Sequence, residues 1–183
     1  MNKTLQNLII RALSGAVFVA LMVGAIWLSS FYFAIVFLAF TFLGLKEFYS
    51  LSSHHNGVKV NGWLAIAGGV LLFLIAAGVS FLQWSPKWFA LYLIYIPILF
   101  IPELYRSAGT PIQNIAVSLM GHIYVAIPFT IFCLIEPISK ELVLAFFVLI
   151  WASDTGAYLV GVCIGKHKMF ERISPKKTWE GFF

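Results

Sequence analysis

Asp154 is the single aspartate of the 183-residue chain. It stands inside an apolar run, LVLAFFVLIWAS before it and TGAYLVGVCIG after it, from Leu142 to Gly165. A carboxylate carried into hydrocarbon is costly unless a partner or a water-filled cavity compensates it, so such a residue is a candidate functional site. Directly after this run comes a basic segment: from Lys166 to Lys177 there are five Lys or Arg residues, with His167 among them, against one acid, Glu171. An acid paired with a cluster of cations is equipment for phosphate chemistry. The carboxylate takes a divalent ion such as Mg²⁺, and the ion and the ammonium groups share the phosphate oxygens.

Spacing sets conditions on that chemistry. On a helix, Asp154, Ala157, Tyr158, Gly161 and Gly165 fall along one side. Small residues at four-residue spacing admit another helix at close range, which turns the acid toward the protein interior. Lys166 lies about 18 Å beyond Asp154 at 1.5 Å per residue, so the two ends serve one site only if the tail folds back or the site is recessed. Ser174 and Pro175 have the character of an N-cap and first helical residue, which predicts Lys176, Lys177 and Thr178 in a first helical turn with backbone N–H groups open to a phosphate. The glycine spacing of a Walker loop is missing. Two plainer readings stay open: Asp154 as a hydrogen-bond partner of a neighbouring helix, and the tail as a cationic anchor on anionic lipid.

The elements that must position these residues are membrane spans. Hydrophobic residues make up 61% of the chain and charged ones 10%, far from the composition of a soluble domain. Apolar length predicts six transmembrane helices, near 12–28, 31–45, 63–83, 88–102, 115–135 and 142–162, in one all-α polytopic bundle spanning 1–183. The alternating pattern of a membrane β-barrel is absent. With the N-terminus inside, ten Lys and Arg fall on the cytoplasmic side and only Lys87 and Lys140 outside, which predicts both termini, and residues 163–183 as a basic segment, in the cytoplasm. Cys133 and Cys163 then sit at opposite membrane faces, too far apart for a disulfide. The loop from Leu45 to Gly62, with its His54–His55 pair, reads as solvated polypeptide because adjacent side chains do not converge on a metal. His122, one turn after Ser118, is predicted to hydrogen-bond a neighbouring helix. Glu103, Glu136 and Glu141 fall at span ends, where water is expected to reach them.

The stretch SDTGAYLVGVCIGKHKMFERISPKKTWEG, Ser153 to Gly181, resembles the central segment of the phosphatidate cytidylyltransferases, the CDP-diacylglycerol synthases. The D-T-G-A-Y and I-S-P-K-K-T-W-E-G elements carry the likeness over about thirty residues. Weaker echoes are R-A-L-S-G, Arg11 to Gly15, and Glu47. The resemblance implies transfer of CMP from CTP to phosphatidate, giving CDP-diacylglycerol and pyrophosphate with Mg²⁺, in a bacterial inner membrane with the site facing the cytoplasm. It casts Asp154, Lys176 and Lys177 as catalytic, Asp154 also as the metal ligand. Lys166, Lys168, Arg172, Ser174 and Thr178 become substrate-binding residues, and Glu180 the acid that orients a lysine. No nucleic-acid partner is expected, and a homo-oligomer is left open.

One departure stands out. Members of that family continue past W-E-G to further spans, a Lys-Asp pair and an H-G-G-x-x-D-R-x-D run whose aspartates are associated with the metals. A truncated chain, inactive by itself, is the expectation that follows. Two other functions remain open from the residues: a CTP-dependent kinase of a lipid alcohol, and a transporter that uses Asp154 as a proton or cation site.

Overall fold

A computed structural model describes residues 3–53, 58–106, 110–170, 172 and 174–183. The His54–His55 pair lies outside them. The chain divides into two compact units, Met1–Lys140 and Glu141–Phe183.

The first unit holds helices α1 (Lys3–Leu28), α2 (Ser30–Ser52), α3 (Gly62–Phe81), α4 (Phe89–Ile98), α5 (Phe100–Tyr105), α6 (Pro111–Gly121) and α7 (Ile127–Ile135). A single 3₁₀ turn at Pro86–Trp88 leads into α4, and a π-helical turn at His122–Ala126 joins α6 to α7. Helix α8 (Lys140–Ile164) leads into the second unit, with strands β1 (Lys168–Phe170) and β2 (Ser174–Thr178) and the short α9 (Trp179–Phe182). Five stretches are long and apolar enough to cross a membrane: Ser30–Ser52, Gly62–Phe81, Pro86–Tyr105, Pro111–Ile135 and Lys140–Ile164. A shorter apolar helix covers Ala12–Leu28. The six predicted segments are thus all helical, and the chain is a polytopic membrane helix bundle.

Prolines explain how the spans are interrupted. Pro97 and Pro102 lie in the span that breaks into α4 and α5 at Leu99, because a proline has no N–H to donate and its ring displaces the carbonyl four residues back. Pro128 does the same to Tyr124, and the ladder widens into the π turn just before it.

Helix α2 runs further than its apolar length predicts. The buried series Phe33, Phe37, Thr41, Leu45 and Tyr49 keeps its four-residue step through the supposed loop, while Lys46 and Glu47 stay on the exposed side. The Ser52 and Ser53 hydroxyls then donate to the carbonyls of Phe48 and Tyr49, where the helix ends.

Helix α3 is central: half of its most apolar stretch is buried, against 22% for α2. Its glycines make this possible. A Cβ on Gly69 would stand 3.1 Å from that of Ala126, and one on Gly68 would stand 2.8 Å from Cε1 of His122. His122 is buried there and bonds its neighbours as predicted. Nε2 lies 2.6 Å from the Ala65 carbonyl, so it carries the hydrogen, and Nδ1 accepts from the Tyr92 hydroxyl at 2.9 Å.

Of the span-end acids Glu141 is exposed as expected, but Glu103 and Glu136 are not. Glu136 is 1% exposed, accepts from the Ser30 hydroxyl at 3.1 Å and pairs with Lys140 at 3.4 Å. Glu103 is also buried. It pairs with Arg106 at 3.2 Å and accepts from Asn114 Nδ2 at 2.8 Å. Asn114 Oδ1 in turn accepts from the Lys59 N–H, and Arg106 donates to the Lys59 carbonyl. Removing ionised groups from water is tolerable only when such partners satisfy them, and neighbouring helix ends supply them.

Candidate functional site

The second unit begins on α8 and returns on itself. Asp154 lies mid-helix and is exposed, as are Ser153 and Thr155. The helix ends at Ile164, and after Gly165 and Lys166 the chain enters a two-stranded antiparallel hairpin with Lys168 opposite Thr178 and Phe170 opposite Ser174. A bulge between these pairs accommodates the unequal spacing. The Trp179 N–H donates to the His167 carbonyl at 3.0 Å and continues the ladder one step.

The hairpin replaces the predicted helical turn at Ser174–Thr178. Pro175 has no N–H, but a strand in a two-stranded ribbon has an open edge where none is needed. Pairing with Lys168–Phe170 is worth more to this segment than one isolated helical turn, whose nucleation is unfavourable. The N-cap moves four residues on. Thr178 is extended at φ −121° and ψ 154°, and its hydroxyl accepts from the Gly181 N–H at 3.3 Å. The phosphate site expected from backbone N–H groups at residues 176–178 therefore does not form in that way.

The small face of α8 is occupied, not by another span but by the end of β2 and the short α9. The Thr178 hydroxyl packs over Gly161 and Gly165: a Cβ on Gly161 would lie 3.1 Å from it, and one on Gly165 only 2.7 Å. A Cβ on Gly181 would stand 2.5 Å from the Ala157 carbonyl and 3.3 Å from the Gly161 Cα. From Thr178 to Gly181 the tail thus climbs the helix by about a turn toward Asp154. Ala157 is itself only about 4.5 Å along the axis from Asp154. The fold-back that the site required of the sequence is present within this unit.

The candidate residues distribute as follows. Lys166, Lys168, Arg172 and Lys177 are exposed, on or beside the hairpin; Ser174 is half-buried on β2. The side chain of Lys176 lies outside the described residues. Thr178 is buried and its hydroxyl is committed to the cap and to the glycines. Glu180 orients a histidine, not a lysine: its Oε1 is 2.6 Å from Nδ1 of His167, and the His167 N–H donates to both carboxylate oxygens at 3.2 and 3.3 Å. Its own backbone N–H and the His167 side chain lead the hydrogen bonds that hold the Glu180 carboxyl down at about 2. His167 carried no assigned role in the sequence, because its pairing with an acid thirteen residues on exists only once the hairpin closes.

Among the described residues no group of three or more His, Cys, Asp and Glu gathers as a metal site. Asp154 is a single exposed carboxylate, and Mg²⁺ commonly takes only one or two protein carboxylates, with its remaining ligands supplied by water and phosphate oxygens.

Residues 9–183 match the model of the cytidylyltransferase family. The chain belongs to this family. The match takes in α8, the hairpin and α9, together with most of the helical bundle before them. Among curated relatives of this family member, the phosphatidate cytidylyltransferase of Rickettsia bellii is 31% identical over 125 residues, covering 67% of this chain and 52% of that protein. Its namesake from Staphylococcus epidermidis is 44% identical over 71 residues, 39% of this chain and 27% of that protein. The Staphylococcus aureus protein is 45% identical over 70 residues, 38% and 27%. The chain therefore spans about half the length of the first and about a quarter of the other two. No solved structure matches it.

Proposed function

We propose that this cytidylyltransferase-family chain serves the transfer of the CMP moiety of CTP to phosphatidate, giving CDP-diacylglycerol and pyrophosphate, with Asp154 and the hairpin cations as the phosphate-handling part of the site. The supporting observation is the fold-back itself: directly after the cationic strand β2, the tail from Thr178 to Gly181 returns along the small face of α8, with Gly181 on Ala157, one turn from the only aspartate of the chain.

In this reading the lipid phosphate attacks the α-phosphorus of CTP, the α–β phosphoanhydride bond breaks, and pyrophosphate leaves. No protein nucleophile is needed. Catalysis rests on in-line positioning and on neutralising charge as it shifts to the leaving group. Lys166, Lys168, Arg172, Lys176 and Lys177 supply that neutralisation, Ser174 a hydroxyl donor, and Asp154 the carboxylate that holds Mg²⁺ against the phosphates. When bound, the ion withdraws electron density from the phosphate oxygens. Thr178 contributes by docking the tail. The reading places the site at the cytoplasmic face of a bacterial inner membrane, where CTP is available, in agreement with the excess of Lys and Arg on that side.

The test is turnover in membranes carrying the protein expressed in full from its gene. Labelled phosphatidate and CTP should give CDP-diacylglycerol, and K176Q together with K177Q should abolish it. Phosphoryl transfer from CTP to a lipid alcohol would replace this reading with a kinase, and solute uptake without CTP consumption would replace it with a transporter.

A further inference from the structure

His167 and His122 are the chain's two histidines whose hydrogen bonds are defined, and they differ in one respect. Both ring nitrogens of His122 are consumed inside the bundle. His167 uses Nδ1 on Glu180, and its side chain is 79% exposed, which leaves the Nε2 edge open to a ligand.

We propose that His167 contacts phosphate through Nε2, with Glu180 as its positioning residue. The inference rests on the reading of the hairpin as a phosphate site and assigns it a further contact. An ionised carboxylate only accepts, so the hydrogen between Glu180 and the ring belongs to Nδ1. The same carboxylate also accepts the His167 backbone N–H on both oxygens, so peptide and ring of one residue are held by one acid. A side chain tethered at both points has little rotamer freedom left to lose on binding, which is the energetic advantage of a preorganised donor. Among the described side chains, the charged groups on the framing elements are Lys166 after α8, Lys168 on β1, Arg172 at the turn, Lys177 on β2 and Glu180 on α9. Four of these five are cations, and Glu180 is engaged by His167. An anion arriving at the hairpin therefore meets a predominantly cationic set of exposed groups, and with both ring nitrogens protonated the Nε2–H is a charge-assisted donor to a phosphate oxygen. The same arrangement recurs where a histidine is aimed at a ligand by a carboxylate on its other nitrogen.

The ligand class is a phosphate group, and its source is either the polyphosphate of a nucleotide or the phosphomonoester headgroup of a lipid. The experiment uses the full chain in zwitterionic nanodiscs with its four histidines labelled with ¹⁵N. Inorganic pyrophosphate is added in one arm, and phosphatidic acid is incorporated without pyrophosphate in the other. The His167 resonance is assigned by difference against Gln variants of the three other histidines. A shift of its Nε2 signal in either arm supports the proposal, and the arm that responds names the source. H167Q should then weaken binding several-fold, with protection of the Trp179 amide showing that the hairpin stays closed. E180Q, which keeps an acceptor but loses its charge, should weaken it less. A stationary Nε2 signal in both arms, with binding still sensitive to K177Q, overturns the role of His167 and leaves the hairpin reading intact. Absence of phosphate binding by the wild type in both arms overturns the two together. Because the shift is read in the wild-type ring, the result holds even where H167Q opens the hairpin.

Discussion

The two units handle polar groups in opposite ways. Between Met1 and Lys140, Glu103, Glu136, Asn114 and His122 are turned inward and spent on partners in the bundle: Glu103 on Arg106 and Asn114, Glu136 on Ser30 and Lys140, His122 on Ala65 and Tyr92. No buried side-chain nitrogen or oxygen among the described residues lacks a partner. Among the described side chains between Glu141 and Phe183, Asp154, Lys166, Lys168, Arg172 and Lys177 are exposed, and the tight packing is done by glycines and Thr178. Chemically alike residues thus separate into those buried on partners within the fold and those that stay exposed. The first kind specifies how helices assemble in an apolar solvent, where an unsatisfied group is expensive. The second kind is available to a ligand.

The largest effect expected from this division is at Asp154. Asp154→Asn removes a charge but little volume, and the side chain is exposed. CDP-diacylglycerol formation should fall on the order of 10²–10³-fold, the scale of losing one electrostatic contact to a reacting phosphate or oxyanion, while the midpoint of thermal unfolding in detergent stays where it was. A variant that unfolds early instead would move Asp154 to the structural class.

Next comes the docking of the tail. In Gly165→Ala the added methyl would collide with the Gly161 carbonyl and lie 2.7 Å from the Thr178 hydroxyl, which is itself held by the Gly181 cap, so the end of α8 and the docked tail are pushed apart. Overpacking of this kind costs about 1–3 kcal/mol. Amide exchange at Trp179 should accelerate accordingly, and turnover should fall with it, because the cations ride on the same hairpin. Normal turnover with an open hairpin would separate catalysis from the fold-back.

Sequence reached the membrane helices and the identity of the chemical segment well, and for one reason: both are local. Twenty apolar residues or the string DTGAY can be read without knowing what packs against them. What escaped it was pairing at a distance. Lys168 opposite Thr178 defines a hairpin that Ser174–Pro175, read alone, disguises as a helix start. The small face of α8 was visible as a place of close approach, but its occupant, the chain's own tail, was not. Lys46 and Glu47 looked like a loop because their charge masked the continuing step from Leu45 to Tyr49. Glu103 and Glu136 looked interfacial because their partners, Asn114 and Ser30, come from other helices.

A smaller effect belongs to the bundle. Glu136→Gln keeps an acceptor for the Ser30 hydroxyl and removes the ion pair to Lys140. The bundle should lose about 1 kcal/mol, the upper end for an ion pair with a partly exposed partner, seen as a lower unfolding midpoint in detergent. Pyrophosphate affinity of the hairpin should not change. A drop in affinity would mean that the polar groups of the bundle reach the phosphate chemistry after all, and the contrast between the units would fail.

The smallest effect is the pH response of the Glu180 clasp. Its carboxyl is lowered from an ordinary 4.5 to about 2 in the folded chain, so folding of this unit is favoured wherever the carboxylate is ionised. That contribution is complete above about pH 4.5 and is lost as pH falls from there through about 2, since protonation then removes the acceptor from the His167 N–H and the ring. Exchange protection of the Trp179 amide, corrected for the intrinsic pH dependence of exchange, should therefore be flat from pH 7 to 5 and decline between pH 4.5 and 2. In E180Q, with no carboxyl to titrate, that decline should vanish. Persistence of the decline in E180Q would show that another group closes the hairpin, and the clasp would not be what holds this unit together.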